Sequence, residues 1–437
     1  MSESEYALRK TAIHLLRCGK SPAEVAQELN RSVMWVYKWR KRFFTEHDWQ
    51  ALQDRPRTPH HQPRKLPASV GPAICEVRSK LEAEAAEPGK LSYIDAHAVR
   101  ARLRKNQVAP LPSITSIERE LRAAQMTQPR QPQDPLEVVY PHLHPTQPLQ
   151  LIQVDIVPHY LPGGPCVSCF NAIDVVSRYP AGLPFLSKHS EDAADFLLYV
   201  WHEIGLSEFT QVDNEGCFSG GFTHPGVLGK VLRLDLLVGN QLVFSPIRQP
   251  ESNGTVERFH QDYSKNVWDK IELPNFQAVQ ACSPAFFEAY RHSEHHSALQ
   301  GCCPADLHPV QTVWPQISEG FKPPARLPLT VGQVHFIRRV SPAGQVRILN
   351  LDWEVPLARP DQGVWVTLQF TVRGARLRIY DAAPDVGERP CLAEHPFPLK
   401  EEVQPLADEF QRPVAVELPS LFHSVVNFAV NHFFRRV

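Results

Sequence analysis

The feature that most constrains the fold is a series of short apolar segments that begins at Leu149 and later alternates with helical patterns. LQLIQVDIVPHY, CVSCFNAIDVVS and YPAGLPFLS have the composition of three consecutive strands separated by turns. An amphipathic helix (EDAADFLLYVWHEIG), a fourth strand (FTQVDNEGCF), a fifth strand (QLVFSPI) and helices from Thr255 to about Lys270 and Phe276 to about His292 follow. This order predicts a mixed α/β layer over residues 149–310.

The first 53 residues predict an all-α helix-turn-helix. Residues 4–18 have an amphipathic pattern, and SPAEVAQELN combines Ser21 as N-cap, Pro22 and Glu24 in a capping box. Ser32 is expected to cap a third helix, SVMWVYKWRKRFF, whose basic residues are typical of DNA binding. The alternative is an ordinary three-helix bundle with a solvated basic face. For DNA binding, base contacts are expected from Ser32, Val33, Met34 and Trp35, and phosphate contacts from Lys38, Arg40, Lys41 and Arg42.

Proline-rich segments divide the rest of the chain. Residues 54–67 predict a basic linker in which Arg55 and Arg57 contact DNA, and residues 126–148 predict a second linker. Between them, residues 68–125 predict a second helix-turn-helix-like domain, with helices over 70–86, over 93–107 and from the Ser113 cap to Ala124. Residues 326–400 predict a small all-β barrel, and residues 401–437 a tail that either docks as a helix or contacts a partner.

Charge is segregated along the chain. Residues 1–65 carry 13 Lys and Arg against 7 Asp and Glu, whereas residues 150–320 carry 9 against 19. Basic flanks favour binding to a polyanion, and the acidic middle would repel nucleic acid unless cations were bound there. With no signal peptide and no long apolar run, we expect a cytoplasmic, nucleoid-associated protein without a membrane partner.

Three acidic residues predict where such cations bind. Asp155 interrupts the first strand, Asp213 ends the fourth, and Glu257 stands in the first turn of the following helix. If the two strands are neighbours, all three carboxylates can converge on two Mg²⁺ ions, with Mn²⁺ as a substitute. The alternative for Glu257 is a first-turn charge favoured by the helix dipole, in a helix that we expect Thr255 to cap. Asp174 is a rival ligand, and Glu215 and Asp262 are expected to be supporting or surface residues.

The segments QVDIV, QVDNEGCF and QPESNGTVERFH resemble the catalytic domain of DDE transposases and retroviral-type integrases. The resemblance covers about residues 145–310, including the ending YRHSEHHSALQGCCPADL, and the N-terminal segment with LQDRPRTPHHQP resembles insertion-sequence transposases. It implies an RNase H-like catalytic core with Asp155, Asp213 and Glu257 as the metal-binding triad. It also implies that Asn253 and Gly254 form the turn presenting the last helix, and that Lys265 contacts DNA, although the usual earlier position is Gln261.

Three features depart from the family pattern. The second and third acids have 43 residues between them, more than in many members, with SGGFTHPGVLGKVLRLDLL as the expected insertion. Glu215 replaces the customary Gly after Asp-Asn, and Glu294-His295-His296 replaces Arg-Pro-His. All three triad carboxylates are nevertheless present.

The resemblance implies a DNA transposase that binds transposon ends, nicks them and joins 3′-hydroxyls to target DNA. Because two ends must be held together, we expect a homodimer or homotetramer on double-stranded DNA. An accessory ATPase is left open. Two alternatives are a transposase-derived regulator without catalytic activity and an RNase H-like nuclease.

Overall fold

The computed structural model separates into two compact units, one up to Leu66 and the other from Pro67 onward. The described residues are 3–54, 66–91, 93–127, 139–220, 225–247, 249–293, 296–309, 316–318 and 320–411. Arg55, Arg57, much of both predicted linkers, and residues 412–437 of the predicted tail lie outside them.

Three helices and a 3₁₀ turn form the first unit. The predicted capping box is confirmed, because Ser21 Oγ accepts a hydrogen bond from the Glu24 N–H at 3.4 Å while the Glu24 carboxylate accepts one from the Ser21 N–H at 2.7 Å. The third helix buries Val36, Trp39 and Phe43 against the other two. The elements are α1 (Glu3–Arg17), α2 (Pro22–Glu28), α3 (Val33–Glu46) and the turn Trp49–Leu52.

The second unit begins with three helices close to the predicted ranges: α4 (Val70–Ala85), α5 (Ala96–Lys105) and α6 (Ile114–Ala123). Ser113 caps α6, as predicted, by accepting a hydrogen bond from the Ser116 N–H at 3.2 Å. Leu91 and Tyr93, in the connection between α4 and α5, pack against an apolar cluster of the domain that follows. These helices are therefore attached to the core.

A nine-stranded sheet forms the centre of the second unit. Its strands, with two shorter pairs beside it, are β1 (Leu151–Tyr160), β2 (Cys166–Asp174), β3 (Pro180–Phe185), β4 (Phe209–Val212), β5 (Gln241–Phe244), β6 (Leu329–Thr330), β7 (Gly332–Arg339), β8 (Gln345–Ile348), β9 (Leu351–Glu354), β10 (Gly363–Thr371), β11 (Gly374–Tyr380), β12 (Cys391–Phe397) and β13 (Val403–Gln404). The order in the large sheet is β12-β11-β10-β7-β5-β4-β1-β2-β3. Strands β1 to β3 pair antiparallel, and β4 and β5 run parallel to β1, which confirms the predicted mixed layer.

Helices cover both faces of β1 to β5, because alternate side chains of the strands are apolar on both sides. Phe170 of β2 packs with Phe196 on one face, whereas Val167 and Cys169 belong to the cluster of Phe259 on the other. No described helix has the length and apolar composition that crossing a bilayer requires. The helices are α7 (Ser190–Glu203), α8 (Gly216–Ser219), α9 (Lys230–Leu237), α10 (Gly254–Tyr263), α11 (Phe276–Arg291) and α12 (Pro304–Leu307).

Two helical elements differ from the predicted ones. The expected insertion contains α9, whose Val231, Leu232 and Leu234 are fully buried in the core. The helix predicted from Thr255 to about Lys270 begins at Gly254 and gives way to a π-helical turn over Ser264–Trp268. Such a turn shifts the helical register of the residues that follow it.

The predicted separate barrel is not confirmed. Strands β7, β10, β11 and β12 instead continue the core sheet, since β7 pairs parallel with β5 through Leu242 opposite Val334 and Phe244 opposite Phe336. The physical reason is that β5 would otherwise be an exposed edge with unpaired backbone groups, and β7 supplies their partners. Only β8 and β9 form a separate hairpin among the described strands of this region, and β13 pairs with β6.

His335 connects the two halves of the sheet. Its Nδ1 accepts a hydrogen bond from Trp365 Nε1 on β10 at 3.0 Å, so Nε2 carries the proton and donates to Gln241 Oε1 on β5 at 3.0 Å. Burial lowers the pKa of His335 to about 3, which keeps the ring neutral at ordinary pH. One imidazole thus bridges the strands on both sides of β7.

We expect His335→Leu to lower the free energy of unfolding by about 2 kcal/mol, because it leaves the buried Trp365 N–H without its acceptor. Urea denaturation followed by tryptophan fluorescence measures the loss. His202→Leu, a change at an exposed position of α7, is the matched control. Equal stability of the two variants would contradict this account of the junction.

Candidate active site and DNA-binding helix

Two QVD segments place Asp155 and Asp213 at the same end of the sheet. Strands β1 and β4 are parallel neighbours, with Gln153 directly opposite Gln211. Asp155 and Asp213 each follow two residues later, so both lie beyond that pair on the same face. The first two candidate ligands therefore lie close together, because each follows its glutamine by the same spacing on adjacent strands.

Gln153 caps the helix that carries Glu257. Its Oε1 accepts hydrogen bonds from the backbone N–H groups of Thr255 at 3.2 Å and Val256 at 3.3 Å, in the first turn of α10. The expectation that Thr255 caps this helix is wrong: its hydroxyl accepts a hydrogen bond from Arg178 Nη1 at 2.7 Å. The cap comes from a distant strand, which a local reading of the sequence does not reveal.

Gln211 fixes the turn before α10. Its Nε2 donates to Asn253 Oδ1 at 2.8 Å, to the carbonyl oxygen of Ser252 at 3.1 Å and to Ser245 Oγ at 2.9 Å. The predicted supporting residue Asn253 is therefore anchored through its side chain. A Cβ atom at Gly254 would meet no atom within 4 Å, so the space around this position does not require glycine.

The three predicted carboxylates share one electrostatic environment. Burial raises the pKa of Asp155 to about 7; the N–H of Ile156 opposes this, and the charges of Asp213, Glu257 and Glu215 raise the pKa further. Burial, and then the charge of Glu215, raise the pKa of Asp213 to about 6, against the lowering effect of the Glu215 N–H, which donates to Asp213 Oδ1 at 3.0 Å. The fold thus concentrates four acids, and it makes ionisation of Asp155 and Asp213 unfavourable.

The donor set fits a hard divalent cation. Carboxylate oxygens are the ligands that Mg²⁺ prefers, and a cation would offset the repulsion that raises both pKa values. Among the described residues, no three His, Cys, Asp or Glu side chains are close enough to hold one ion together. One ion held by all three carboxylates therefore requires these side chains to move towards it.

The rival acids have other roles. Asp174 is fully buried, and its carboxylate accepts hydrogen bonds from the backbone N–H groups of Leu149, Val176 and Ser177, so it stabilises the turn after β2. Asp262 lies on α10, with its Oδ1 3.7 Å from Arg258 Nη2. Glu215, expected to be a supporting or surface residue, contributes instead to the charge around Asp155 and Asp213.

Two residues near the acids were not predicted from the sequence. His260 stands one turn after Glu257, with its Nδ1 3.5 Å from Asp155 Oδ2; burial lowers the pKa of His260 to about 3, so the contact is not an ion pair at neutral pH. Lys188 Nζ contacts Glu215 Oε1 at 3.1 Å, and its charge lowers the pKa of Asp213. The i, i+3 spacing from Glu257 could have indicated His260, but nothing local indicated Lys188.

Lys265 is exposed on the π-helical turn that follows α10. Burial raises the pKa of Asp262 to about 6, and the charge of Lys265 opposes this rise. The predicted DNA contact of Lys265 stays a prediction.

Helix α3 exposes most of the predicted DNA-contacting residues. Val33, Met34, Lys38, Arg40 and Lys41 are exposed on its solvent side. Ser32 is exposed too, although its Oγ accepts the capping hydrogen bond from the Trp35 N–H at 3.2 Å.

Trp35 and Arg42 are less available than expected. Trp35 is half-buried and makes an edge contact with Trp39, with 6.4 Å between the ring centroids. Arg42 is also half-buried, and its Cζ lies 5.2 Å from the centroid of the Trp39 ring. Tyr37 and Phe44, which were not predicted, are exposed and line a cavity of about 550 Å³ together with Lys41. Their aromatic character could have been noted from the sequence, but their exposure depends on which face of α3 is buried.

Comparison with known proteins gives one family match and several similar structures. Residues 4–46 match the family model of a homeodomain-like domain, so the first unit is a domain of this class, as the predicted helix-turn-helix implies. The HTLV-2 integrase catalytic core domain in complex with magnesium is 15% identical with a TM-score of 0.30, covering 37% of this chain and 97% of that chain.

Two further structures are similar to the chain. In the simian T-cell lymphotropic virus intasome in complex with PP2A regulatory subunit B56 gamma, the matching chain is 15% identical with a TM-score of 0.33; the match covers 71% of this chain and 99% of that one. The BIV integrase catalytic core is 15% identical with a TM-score of 0.28, covering 37% and 93%. The three similar structures are thus two integrase catalytic cores and a chain of an intasome complex.

We expect Asp155→Asn to stabilise the metal-free protein at pH 8 by about 3 kcal/mol, to order of magnitude. Because the folded-state pKa values of Asp155 and Asp213 are raised, the stability that these two acids contribute is greatest below about pH 4 and is lost as the pH rises through about 6 and about 7. The amide cannot ionise, so the gain should vanish near pH 4. Urea denaturation in EDTA at both pH values measures it, and a difference that does not vary with pH would contradict the raised pKa of Asp155.

Proposed function

We propose that the protein is a DDE-class DNA transposase that nicks transposon ends and joins them to target DNA. The observation that carries the proposal is the position of Asp155 on β1, Asp213 directly after β4 and Glu257 on α10, where the charges of Asp213 and Glu257 both act on Asp155. Acids brought together at such a cost in repulsion are typical of a site that binds cations or exchanges protons. The match of the first unit to a homeodomain-like domain adds a DNA-binding function to the same chain.

The topology supports a catalytic core of the RNase H-like type. Strands β1 to β5 are arranged in the order β3-β2-β1-β4-β5, with three antiparallel strands followed by two parallel ones. The resemblance in the sequence implies this fold, with Asp155, Asp213 and Glu257 as its metal-binding triad. Asp155 lies on β1, Asp213 directly follows β4, and Glu257 lies on α10, the helix after β5.

Asp155, Asp213 and Glu257 would hold two Mg²⁺ ions, with Mn²⁺ as a substitute. Bound there, the cation would activate the attacking water or 3′-hydroxyl and stabilise the leaving oxygen of the phosphodiester. The protein's own contribution is orientation: Gln153 fixes the first turn of α10, and the N–H of Glu215 fixes the Asp213 carboxylate. Because carboxylates repel DNA phosphates, substrate binding at this edge depends on the cation.

The exposed face of α3 would bind the transposon ends. Lys38, Arg40 and Lys41 supply charge for phosphates, and Val33 and Met34 are exposed at the N-terminal end, where recognition helices contact base edges. Tyr37 adds an exposed aromatic ring to this face. Two ends must react together, so we propose a homodimer or homotetramer assembled on DNA.

We expect Glu257→Gln to lower strand transfer by at least ~10³-fold, because the amide keeps the shape of the side chain but removes its charge from the site. The assay uses Mg²⁺ and DNA carrying the inverted repeats that flank the reading frame. Glu272→Gln, the same change at an exposed position outside the site, should retain activity. Wild-type activity in Glu257→Gln would exclude Glu257 from the catalytic site, whereas DNA binding without strand transfer in the wild-type protein would favour a non-catalytic DNA-binding regulator.

We expect Lys41→Ala to weaken binding to the terminal repeats and to reduce the slope of log Kd against log salt by about one, the loss of one phosphate contact. Fluorescence anisotropy at several salt concentrations measures both quantities. Lys400→Ala, which removes an exposed lysine from the second unit, is the control. A salt slope equal to that of the wild type would exclude Lys41 from the interface.

A further inference from the structure

Arg338 is a buried cation at the edge of the sheet where Asp213 lies. It belongs to β7 and is only 8% exposed. Among the described residues, no carboxylate lies within ion-pair distance of its guanidinium, and its Nε is buried without a hydrogen-bond partner. Burial lowers the pKa of Arg338 to about 10, so the side chain still carries its charge at neutral pH.

The guanidinium contacts the residue next to Asp213. Arg338 Nη2 donates to Asn214 Oδ1 at 2.8 Å, and Nη1 donates to the carbonyl oxygen of Ser245 at 3.2 Å. Asn214 Nδ2 donates to that same carbonyl oxygen at 2.7 Å. Both the oxygen and the nitrogen of the Asn214 amide are therefore hydrogen-bonded. Because a guanidinium only donates, the amide oxygen faces Arg338 on β7.

The same contacts reach the turn that presents Glu257. Ser245 Oγ donates to Asn253 Oδ1 at 2.8 Å, directly before α10. The Ser245 N–H donates to the Val212 carbonyl oxygen at 2.9 Å, which fixes the chain just before Asp213. Ser245 thus joins Arg338 to the elements that carry two of the three acids.

Stability does not account for this arrangement. A buried charge that lacks an opposite charge is costly, and its replacement by an apolar residue of similar volume is often neutral or stabilising. What Arg338 supplies is the orientation of Asn214, at a point where a small displacement changes the position of the Asp213 carboxylate.

We propose that Arg338 is a positioning residue for Asp213, acting through Asn214, so that the active site requires the C-terminal strands as well as residues 149–310. The inference rests on the proposed function, since Asp213 needs a fixed position only if it holds the cation. The pairing of β7 with β5 would then help to position a catalytic carboxylate as well as extend the sheet.

The test is a double-mutant cycle with Arg338→Met, Asn214→Ala and the double variant. We expect each single variant to lower kcat for strand transfer by about 10- to 100-fold with little change in KM for DNA. The double variant should be no slower than the slower single variant, because both changes remove the same contact. The Kd for Mn²⁺, measured by electron paramagnetic resonance, should follow the same coupled pattern without any turnover.

Arg233→Met is the matched control, since Arg233 joins α9 to Glu401 in the C-terminal segment. It should leave kcat and Mn²⁺ affinity unchanged even if stability falls. If Arg338→Met does not fold, Arg338→Lys replaces it in the cycle and should retain part of the activity, because one ammonium keeps one of the contacts.

Losses that multiply in the double variant, or a wild-type kcat in Arg338→Met, would overturn the positioning role. A wild-type protein that binds Mn²⁺ but performs no strand transfer would refute the proposed function, and the Mn²⁺ cycle alone would then decide whether Arg338 positions Asp213. A wild-type protein with neither property overturns both proposals.

Discussion

The hydrogen bonds from Gln153 and Gln211 to the turn before α10 determine how the acidic site is assembled. The two side chains are opposite each other on β1 and β4 and hold the turn from one side of the sheet. Buried amides that are fully hydrogen-bonded are rigid, whereas an unsatisfied one would be costly. The contact that orients Glu257 therefore comes from the same two strands that carry Asp155 and Asp213, two residues beyond each glutamine.

Carboxyl groups whose ionisation is unfavourable lie where hydrogen bonds hold the backbone in a fixed position. Burial and the charges of neighbouring acids raise the pKa values of Asp155 and Asp213, so their ionisation lowers the stability of the metal-free protein. A bound cation would offset this cost and attract an anionic substrate. The exposed basic face of α3 would supply the attraction for DNA that the acids cannot, in agreement with the segregation of charge along the sequence.

The sequence predicted the elements whose signals are local. The apolar segments after Leu149 became β1 to β5, and the Ser21 capping box and Ser113 cap are present because such caps involve neighbouring residues. What it could not predict are partners distant in the chain. Nothing near Arg338 indicates Asn214, 124 positions away, and strand patterns after residue 326 gave no sign that β7 would pair with β5 rather than close a barrel. The Thr255 cap was wrong for the same reason, since Gln153 is 102 positions away.

Anomalous diffraction from crystals soaked in Mn²⁺ tests the central claim most directly, because it shows where a divalent cation binds without assuming any activity. We expect a peak with oxygen atoms of Asp155, Asp213 and Glu257 at about 2.1 Å, reached by movement of these side chains. We also expect Gln153 to cap α10 in that state. A peak elsewhere in the protein, or an ion bound by Asp155 and Asp213 without Glu257, would contradict the assignment of Glu257 as the third ligand.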